Sequence, residues 1–302
     1  MKNKNPDEIR EGVRERYGKI AQAGATVSEK KPTPSCCGPV NIAPELPQAT
    51  PSCCAPADIS AEAGQNASCC GPSNMSIEKM SEIIGYSKED FDGMVDGANM
   101  ALGCGNPVAL GSLKPGETVV DLGSGGGFDC FLAAKQVGET GKVIGVDMTP
   151  DMVSLARKNK EKMEMANVEF RLGEIEHLPV ADNSADIIMS NCVINLSPHK
   201  LDVYRDAFRI LKPGGRLAIS DVLATAPLPD KYRQDLALVS ACIGGAATIE
   251  DTKEMLREAG FQDIKINAHD KNREILSQWD PGKSDRAVDY VVSAYIEAIK
   301  PY

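Results

Sequence analysis

Four of the ten cysteines lie in the body of this chain, and three of them are placed where they could do chemistry. Cys104 stands in the motif LGCGNP, Cys192 in SNCVINL and Cys242 in SACIGGA. Ligands of an open α/β sheet bind outside the carboxyl ends of its strands. Cys192 ends the fourth predicted strand, and glycine-flanked loops can bring the other two thiols to the same cleft. Three thiolates there would form a soft, three-coordinate site; the alternative is separately buried thiols, which free cysteines commonly are.

A glycine-rich loop, VVDLGSGGGFDC, follows the first predicted strand and opens a helix. Its glycines allow close approach to a ligand, but the dinucleotide pattern G-x-G-x-x-G, counted from Gly123, fails at Phe128. Asp121 ends the strand before the loop, where a carboxylate suits a cation better than a pyrophosphate. Asp147 ends the second strand, 20 residues after Gly127, where it can accept both ribose hydroxyls. These residues predict a site for S-adenosylmethionine, whose sulfonium and amino groups are positive.

The elements that must position these residues follow an alternating β and α pattern. Strands are predicted over residues 118–122, 142–147, 168–172, 186–190 and 216–222. Thr149 with Pro150, and Ser197 with Pro198, are expected to start helices. A helix over 249–259 precedes strand candidates at 263–267 and 288–300. The pattern predicts a doubly wound parallel sheet with helices on both faces, and a smaller C-terminal α+β part that binds substrate.

Two further segments, RLGEIEHLPVADNSADIIMSN at 171–191 and RDAFRILKPGGRL at 205–217, complete a set of motifs in order. Over roughly residues 115–225 the sequence resembles S-adenosylmethionine-dependent methyltransferases of the Rossmann-like fold. The resemblance implies residues for the methionine portion, the ribose and the adenine of the cofactor. They are Asp121, Gly123 and Gly125, then Asp147, then Glu174 and Ile175, with Asn191 assigned to the same site.

The motifs YGKI, GCGNP, SNCVINLSPHK and ACIGGA narrow the resemblance to arsenite methyltransferases, over nearly the whole chain outside a proline-rich segment. Zinc takes four ligands or keeps an open water position, whereas trivalent arsenic takes three sulfurs and keeps a lone pair. By this resemblance Cys104, Cys192 and Cys242 are the catalytic, arsenic-binding thiols. It implies methyl transfer to thiolate-bound arsenic, with glutathione or thioredoxin as reductant. Cys130, among apolar neighbours, is expected in the core, and His199 is expected to be a solvated residue at a helix start.

The proline-rich segment, residues 32–74, holds six of the ten cysteines and eight of the 19 prolines. Such a composition cannot bury a core, so this segment is expected to be disordered. It contains the motifs SCCGP, SCCAP and SCCGP at 35–39, 52–56 and 68–72, which resemble three copies of a ligand-binding motif spaced along one segment. Its thiols are further candidates for arsenic binding: Cys36, Cys37, Cys53, Cys54, Cys69 and Cys70. The expected organisation is an N-terminal helix at 1–31, this segment at 32–74, a cofactor-binding domain at 75–225 and an arsenic-binding part at 226–302.

Composition limits the other possibilities. The net charge is −10, from 33 basic and 43 acidic residues, which argues against partners such as nucleic acid or an anionic membrane. No apolar run approaches the length of a membrane span, and the N-terminus has no secretory signal pattern, so a cytoplasmic location is expected. The protein is also expected to be a monomer. Two alternatives stay open. A small-molecule C- or O-methyltransferase would leave the three body thiols idle, and a metalloid-sequestering protein would not need an intact cofactor site.

Overall fold

The computed structural model describes residues 5–27, 76–270 and 286–302. The repeated cysteine pairs and the expectations for residues 32–74 lie outside these described ranges. Within them, no helix is both long and apolar enough to cross a bilayer.

Seven strands form one twisted sheet in the order β3-β2-β1-β4-β5-β7-β6. The first five strands are parallel, whereas β7 runs antiparallel to both β5 and β6. The strands are β1 Thr118–Leu122, β2 Lys142–Asp147, β3 Val168–Leu172, β4 Ala185–Asn191, β5 Leu211–Ala224, β6 Gln262–His269 and β7 Val291–Ile299. The predicted doubly wound sheet is confirmed. The strands of the C-terminal region complete the same sheet.

Nine helices are described, and they cover both faces and the carboxyl edge of the sheet. They are α1 Pro6–Val27, α2 Ile77–Ile83, α3 Pro107–Gly111, α4 Phe128–Val137, α5 Pro150–Met163, α6 Lys200–Ile210, α7 Asp230–Arg233, α8 Leu236–Ser240 and α9 Ile249–Glu258. One apolar core packs α6 and α9 against the sheet, and a second packs α4 and α5 against its other face. The central strands are buried on both faces, which is why they are continuous apolar runs.

The N-terminal helix α1 is amphipathic and packs on the body of the protein. Val13 is buried in a cluster that also contains the three body thiols, and Ala21 is buried against Met152 and Leu155 of α5. The apolar face of α1 therefore packs against both the thiol-containing cluster and α5. This packing places one face of α1 beside the carboxyl ends of the strands.

Helix starts follow the sequence at Thr149 but not at Ser197. Thr149 precedes α5, which begins at Pro150 as expected. The expected start at Ser197 is wrong, because α6 begins at Lys200 with His199 before it. Ser197 is buried instead, where its hydroxyl donates to Glu176 and accepts from the backbone N–H of His199. His199 itself is exposed at the helix start, as expected.

Candidate active site

Two carboxylates line a cavity at the carboxyl ends of β1 and β4. Asp121 is the next-to-last residue of β1, and Asp129 lies in the first turn of α4. Burial raises the pKa of Asp121 well above its usual range, and the charge of Asp129 raises it further. Burial also raises the pKa of Asp129, to about 6. Within the described residues neither carboxylate has an ion-pair partner, so the pair is a ready acceptor for a bound cation.

A hydrogen-bond network holds Asp129 and links it to Asn191 at the end of β4. Asp129 accepts from the Tyr86 hydroxyl at 2.6 Å and from Asn191 Nδ2 at 3.1 Å. The same amide nitrogen also reaches the carbonyl of Gly105, and Asn191 Oδ1 accepts from the backbone N–H of Cys104. Asn191 therefore connects the cofactor cavity to the loop that carries the first thiol.

Asp147 lies at the end of β2, opposite the glycine loop. Its carboxylate accepts the backbone N–H of Gly125 at 3.0 Å and that of Thr149 at 2.8 Å. Burial raises the pKa of Asp147, while these two hydrogen bonds partly offset the rise. Asp147 is thus held in a fixed position beside the glycine loop. Gly123, the first glycine of the loop after β1, has φ +70°, and a Cβ at this position would collide with the Val193 side chain.

The far side of the cavity is built by residues after β3. Ile175 and Glu176 line it, whereas Glu174 lies outside the lining and pairs with Arg14 of α1 at 2.6 Å. The Glu176 side chain is only 5% exposed and faces Arg10 at 3.3 Å. Arg10 lines the cavity too, so α1 forms part of its wall.

The cavity fits S-adenosylmethionine in two respects that the structure itself shows. Ser124 Oγ is buried in the glycine loop and has no hydrogen-bond partner in the described part of the chain. Such a buried hydroxyl implies a ligand or water beside it. The two unpaired carboxylates suit the positive amino and sulfonium groups, and Asp147 suits the ribose hydroxyls.

The three body thiols meet beside this cavity. Cys104, Cys192 and Cys242 are each at most 2% exposed and belong to one buried cluster. Cys192 lines the cavity, and Cys242 Sγ donates to the Cys192 carbonyl at 2.8 Å. Cys104 Sγ lies 3.5 Å from the hydroxyl of Ser220. The sequence prediction that the three thiols share one place agrees with this geometry.

Backbone conformation and close packing hold the thiols in place. Cys192 and Cys242 both have left-handed backbones, with φ 59° and 62°. Such values are uncommon for residues other than glycine and persist where the surroundings impose them. Gly103 and Gly105 flank Cys104, and a Cβ at either would collide with Asn191 or Ser220 respectively. The GCG motif is therefore a packing requirement of this thiol.

Burial disfavours the thiolate form of two of the three thiols, Cys192 and Cys104. Burial raises the pKa of Cys192 well above the usual range, and the neighbouring thiols of Cys104 and Cys242 raise it further. Burial also raises the pKa of Cys104, although hydrogen bonding to Cys192 offsets part of the rise. Among the described residues, no group of three or more His, Cys, Asp or Glu side chains has the arrangement of a metal site. Within the cluster, Cys192 interacts with both of the other thiols.

Several residues of the site were not found from the sequence. Asp129 follows the glycine loop directly, and a second carboxylate there was a usable signal. Tyr86, Arg10 and Glu176 come from distant segments, and nothing in their local sequence marks them. Tyr17, in the YGKI motif, lines the cavity, and burial and the nearby Cys242 raise the pKa of its hydroxyl well above the usual range. Cys130 is buried in the core as expected, where its thiol donates to Asp121.

Comparisons with known proteins agree with this geometry. A family model described as a methyltransferase domain matches residues 113–260. An arsenite methyltransferase of Halobacterium salinarum is 48% identical over 300 residues, covering 99% of this chain and 68% of that protein. Another, of Aquipseudomonas alcaligenes, is 46% identical over 171 residues, covering 54% of this chain and 49% of that protein. This chain is therefore shorter than these two proteins.

A crystal structure of an arsenic(III) S-adenosylmethionine methyltransferase from Chlamydomonas reinhardtii superposes with a TM-score of 0.55 at 31% identity. The match covers 76% of this chain and 75% of that one. Fold and cofactor cavity together define an S-adenosylmethionine-dependent methyltransferase. Because 48% identity to the Halobacterium arsenite methyltransferase extends over 99% of this chain, the chain belongs to the arsenite methyltransferase family.

Proposed function

We propose that this chain transfers a methyl group from S-adenosylmethionine to trivalent arsenic held by Cys104, Cys192 and Cys242. The observation that carries the proposal is the position of the thiol cluster. The three thiols are buried in one cluster, Cys192 interacts with both of the other thiols, and Cys192 lines the cavity that fits the cofactor. A three-thiolate site matches the preference of trivalent arsenic and leaves its lone pair free.

The chemistry then needs positioning more than proton transfer. When bound, S-adenosylmethionine supplies an electrophilic methyl carbon. The arsenic lone pair forms the new As–C bond as the C–S bond breaks, and the sulfur leaves with the electron pair as a neutral thioether. Arsenic carries no proton at the attacking position, so no general base is required. Holding two reactants in place can contribute about 7–11 kcal/mol to such a step.

The electrostatic surroundings support this division of roles. The ionised forms of Asp121 and Asp129 stabilise the bound cofactor's positive charge, and Asp147 holds the ribose. Glu176 is paired with Arg10 and bonded to Ser197, so its charge is compensated. The thiol cluster itself is lined by apolar residues that exclude water, including Val13 of α1 and Leu196. The thiol protons must leave as arsenic binds, because the ligands are thiolates.

A reductant completes the cycle. Methyl transfer oxidises trivalent arsenic formally to the pentavalent state, so thiols must supply two electrons before the next round. Glutathione or thioredoxin is proposed for this role, in the cytoplasm, with the enzyme acting as a monomer. The cysteine pairs of residues 32–74 are proposed to capture arsenite or to store reducing equivalents.

A second candidate is a C- or O-methyltransferase for a small organic molecule. A demethylmenaquinone methyltransferase of Oceanobacillus iheyensis is 30% identical over 123 residues, covering 41% of this chain. That activity would use the same cofactor cavity, but it gives the three thiols no task. A general base near the cavity would also be needed for many such substrates.

The two candidates separate in one labelling experiment. The purified full-length chain is incubated with methyl-labelled S-adenosylmethionine, a thiol, and either arsenite or a demethylated quinol. The proposal expects label in arsenic species only. Label in the quinol with none in arsenic would refute it.

A further inference from the structure

Ser220 and Asp221 are adjacent polar residues in the buried part of strand β5, where the sequence reads LAISDVLA. Their exposed fractions are 0% and 2%, and neither residue lines the cofactor cavity. Burying a polar group costs free energy unless the group is hydrogen-bonded. The hydrogen bonds of these two residues lead to the three segments that carry the body thiols.

The Ser220 side chain supports the thiol of Cys104. Its hydroxyl oxygen lies 3.5 Å from Cys104 Sγ. Either group can donate while Cys104 is a thiol, but only the hydroxyl can donate once the sulfur is a thiolate. Gly105 leaves room for this contact, because a Cβ at Gly105 would collide with the Ser220 hydroxyl. The hydroxyl is therefore placed to orient the sulfur as a ligand.

The turn that carries Cys192 is bonded to β5 on both sides of the thiol. The backbone N–H of Cys192 donates to the Ser220 carbonyl at 2.8 Å. Two residues later, the backbone N–H of Ile194 donates to Asp221 Oδ2 at 3.0 Å. Cys192 has a left-handed backbone, with φ 59°, and such a conformation persists only where the surroundings impose it. These two bonds to β5 supply that constraint.

Asp221 reaches the segment of Cys242 through Asn195. Asp221 Oδ1 accepts from Asn195 Nδ2 at 3.0 Å. The same amide nitrogen donates to the Cys242 carbonyl at 3.4 Å and also contacts the carbonyl of Val222. Asn195 is 3% exposed and lies in the segment just after β4. One carboxylate therefore joins the loop after β4 to the loop that contains Cys242.

The effect of Asp221 on arsenic binding is geometric more than electrostatic. Burial raises the pKa of Asp221 to about 6, while the N–H of Val222 and the charge of Lys200 oppose the rise. Asp221 is therefore ionised at pH 7.5, and an ionised acceptor forms a stronger hydrogen bond than a neutral one. Arsenite is a neutral hydroxide, and its reaction with three thiols gives a neutral complex and three water molecules. Because no net charge changes, the charge of Asp221 contributes little to that equilibrium.

We propose that Ser220 and Asp221 are the positioning residues of the arsenic site: Ser220 places Cys104, and Asp221 places Cys192 and Cys242. The inference rests on the proposed function, which makes these three thiols the arsenic ligands. Both residues act through the thiols and not on the cofactor. Ligands that are already held in position lose less conformational freedom when they bind, so the pair should raise arsenic affinity.

The test compares a ligand that uses all three thiols with a ligand that can use only two. Arsenite has three oxygens that thiols can replace, whereas the aryl group of phenylarsine oxide leaves two positions for sulfur. Binding is measured by equilibrium dialysis with arsenic analysis. Every variant is made in the full-length chain with the six cysteines of residues 32–74 replaced by serine, so that bound arsenic reports on the body thiols.

Ser220→Ala should weaken arsenite binding about two- to tenfold, because Cys104 loses its hydroxyl partner. Phenylarsine oxide binding should change less than about twofold, because Cys192 and Cys242 remain held. Ser293→Ala is the matched control. Ser293 is a serine of β7 that is 1% exposed, and its hydroxyl has no hydrogen-bond partner in the described part of the chain. This control should bind both ligands as the parent protein does.

Asp221→Asn should weaken the binding of both ligands about 10- to 100-fold, because an amide nitrogen replaces one of the two oxygens that accept from Ile194 and Asn195. Asp206→Asn is the control for the loss of such a bond. Asp206 lies in α6, outside the thiol cluster, and accepts the backbone N–H of Leu178 at 2.6 Å. Its replacement should leave both affinities unchanged. Binding of S-adenosylmethionine shows that each variant is folded.

The positioning proposal is overturned if Ser220→Ala binds arsenite as Ser293→Ala does, or if it weakens both ligands equally. Equal binding by Asp221→Asn and Asp206→Asn would also overturn it. Ser220→Ala decides alone if Asp221→Asn does not fold. The proposed function fails separately, if the unchanged chain binds arsenite at its body thiols but does not methylate it. The binding comparison still decides the positioning role in that case.

Discussion

The thiol of Cys242 donates a hydrogen bond to the backbone carbonyl of Cys192, over 50 residues of sequence and at 2.8 Å. Both residues have left-handed backbones. The contact joins the loop after β4 to the loop after α8. It brings a second thiol to the edge of the cofactor cavity, where Cys192 already lies.

Replacement of Cys192 by serine should separate arsenic binding from cofactor binding. The hydroxyl is nearly the same size but cannot act as a soft thiolate ligand, so tight arsenite binding to the body should be lost. S-adenosylmethionine affinity should stay nearly unchanged because Cys192 is not part of the glycine loop. Calorimetry with each ligand measures both effects. Cys130→Ala is the matched control for a buried thiol outside the cluster, and full arsenite binding by Cys192→Ser would contradict the three-thiol site.

Replacement of Asp147 by alanine should weaken S-adenosylmethionine binding by about 1.5–3 kcal/mol, or about 10- to 150-fold in Kd, because a charge-assisted contact is lost. The same carboxylate holds the N–H groups of Gly125 and Thr149, so the loop also loses an anchor. Asp151→Ala, an exposed change near the start of α5, is the control. Equal affinity in the two variants would show that Asp147 does not contact the cofactor.

The binding of S-adenosylmethionine should depend on pH through Asp129. Its pKa is about 6 in the folded chain, so below that pH the carboxyl becomes neutral and loses its attraction for a cation. We expect the affinity to fall by up to about tenfold per pH unit between pH 6 and 5. In Asp129→Asn this fall should be reduced and the affinity at pH 7.5 should be lower. A pH dependence identical to that of the unchanged chain would contradict the role of Asp129.

The same group affects the stability of the empty protein with the opposite sign. The pKa of Asp129 is raised from 3.8 on folding, so between these values the folded chain holds more protons than the unfolded one. The contribution of Asp129 to the free energy of unfolding therefore decreases as pH rises through this window. In urea unfolding, Asp129→Asn should remove that part of the slope.

The packing of α1 depends on an almost buried ion pair. Arg10 lies 3.3 Å from Glu176, with side chains 16% and 5% exposed. Arg10→Met should lower the free energy of unfolding by about 1–3 kcal/mol because it leaves a buried carboxylate short of a partner. Arg14→Met breaks a more exposed pair with Glu174 and should cost about 0–1 kcal/mol. Urea unfolding compares them, and equal losses would contradict the importance of burial.

Deletion of residues 32–74 tests the cysteine pairs. Adjacent cysteines have Cα atoms about 3.8 Å apart, so a pair can offer two thiolates to one soft ion, whereas a disulfide between them would be strained. The deletion should preserve turnover at saturating arsenite and thiol, and should lower the arsenic bound per chain. Equilibrium dialysis with arsenic analysis measures the binding. Complete loss of turnover would mean that the pairs are catalytic, and unchanged arsenic binding would favour an inert segment.

Local patterns predicted most of the sheet and part of the site. Strands β1 and β2 lie where their apolar runs predict, since buried parallel strands are largely apolar segments between turns. Strand β3, VEFRL, also has its predicted bounds, although its residues alternate in burial. Asp121 and Asp147 were found because an acid at a strand end beside a glycine loop is a local signal. Glu176 and Tyr86 were not found, because tertiary packing alone brings them to the cavity. Ser197 was misplaced as a helix start because its hydroxyl has a buried partner that no local pattern shows.

The central claim is that this chain methylates arsenic held on its three body thiols. The most direct measurement incubates the purified chain with arsenite, S-adenosylmethionine and glutathione, then separates the arsenic species by chromatography with elemental detection. The account predicts methylated arsenic from the full chain and from the 32–74 deletion, and only inorganic arsenic from Cys192→Ser. Inorganic arsenic alone from the full chain, or methylation by Cys192→Ser at the unchanged rate, would contradict it.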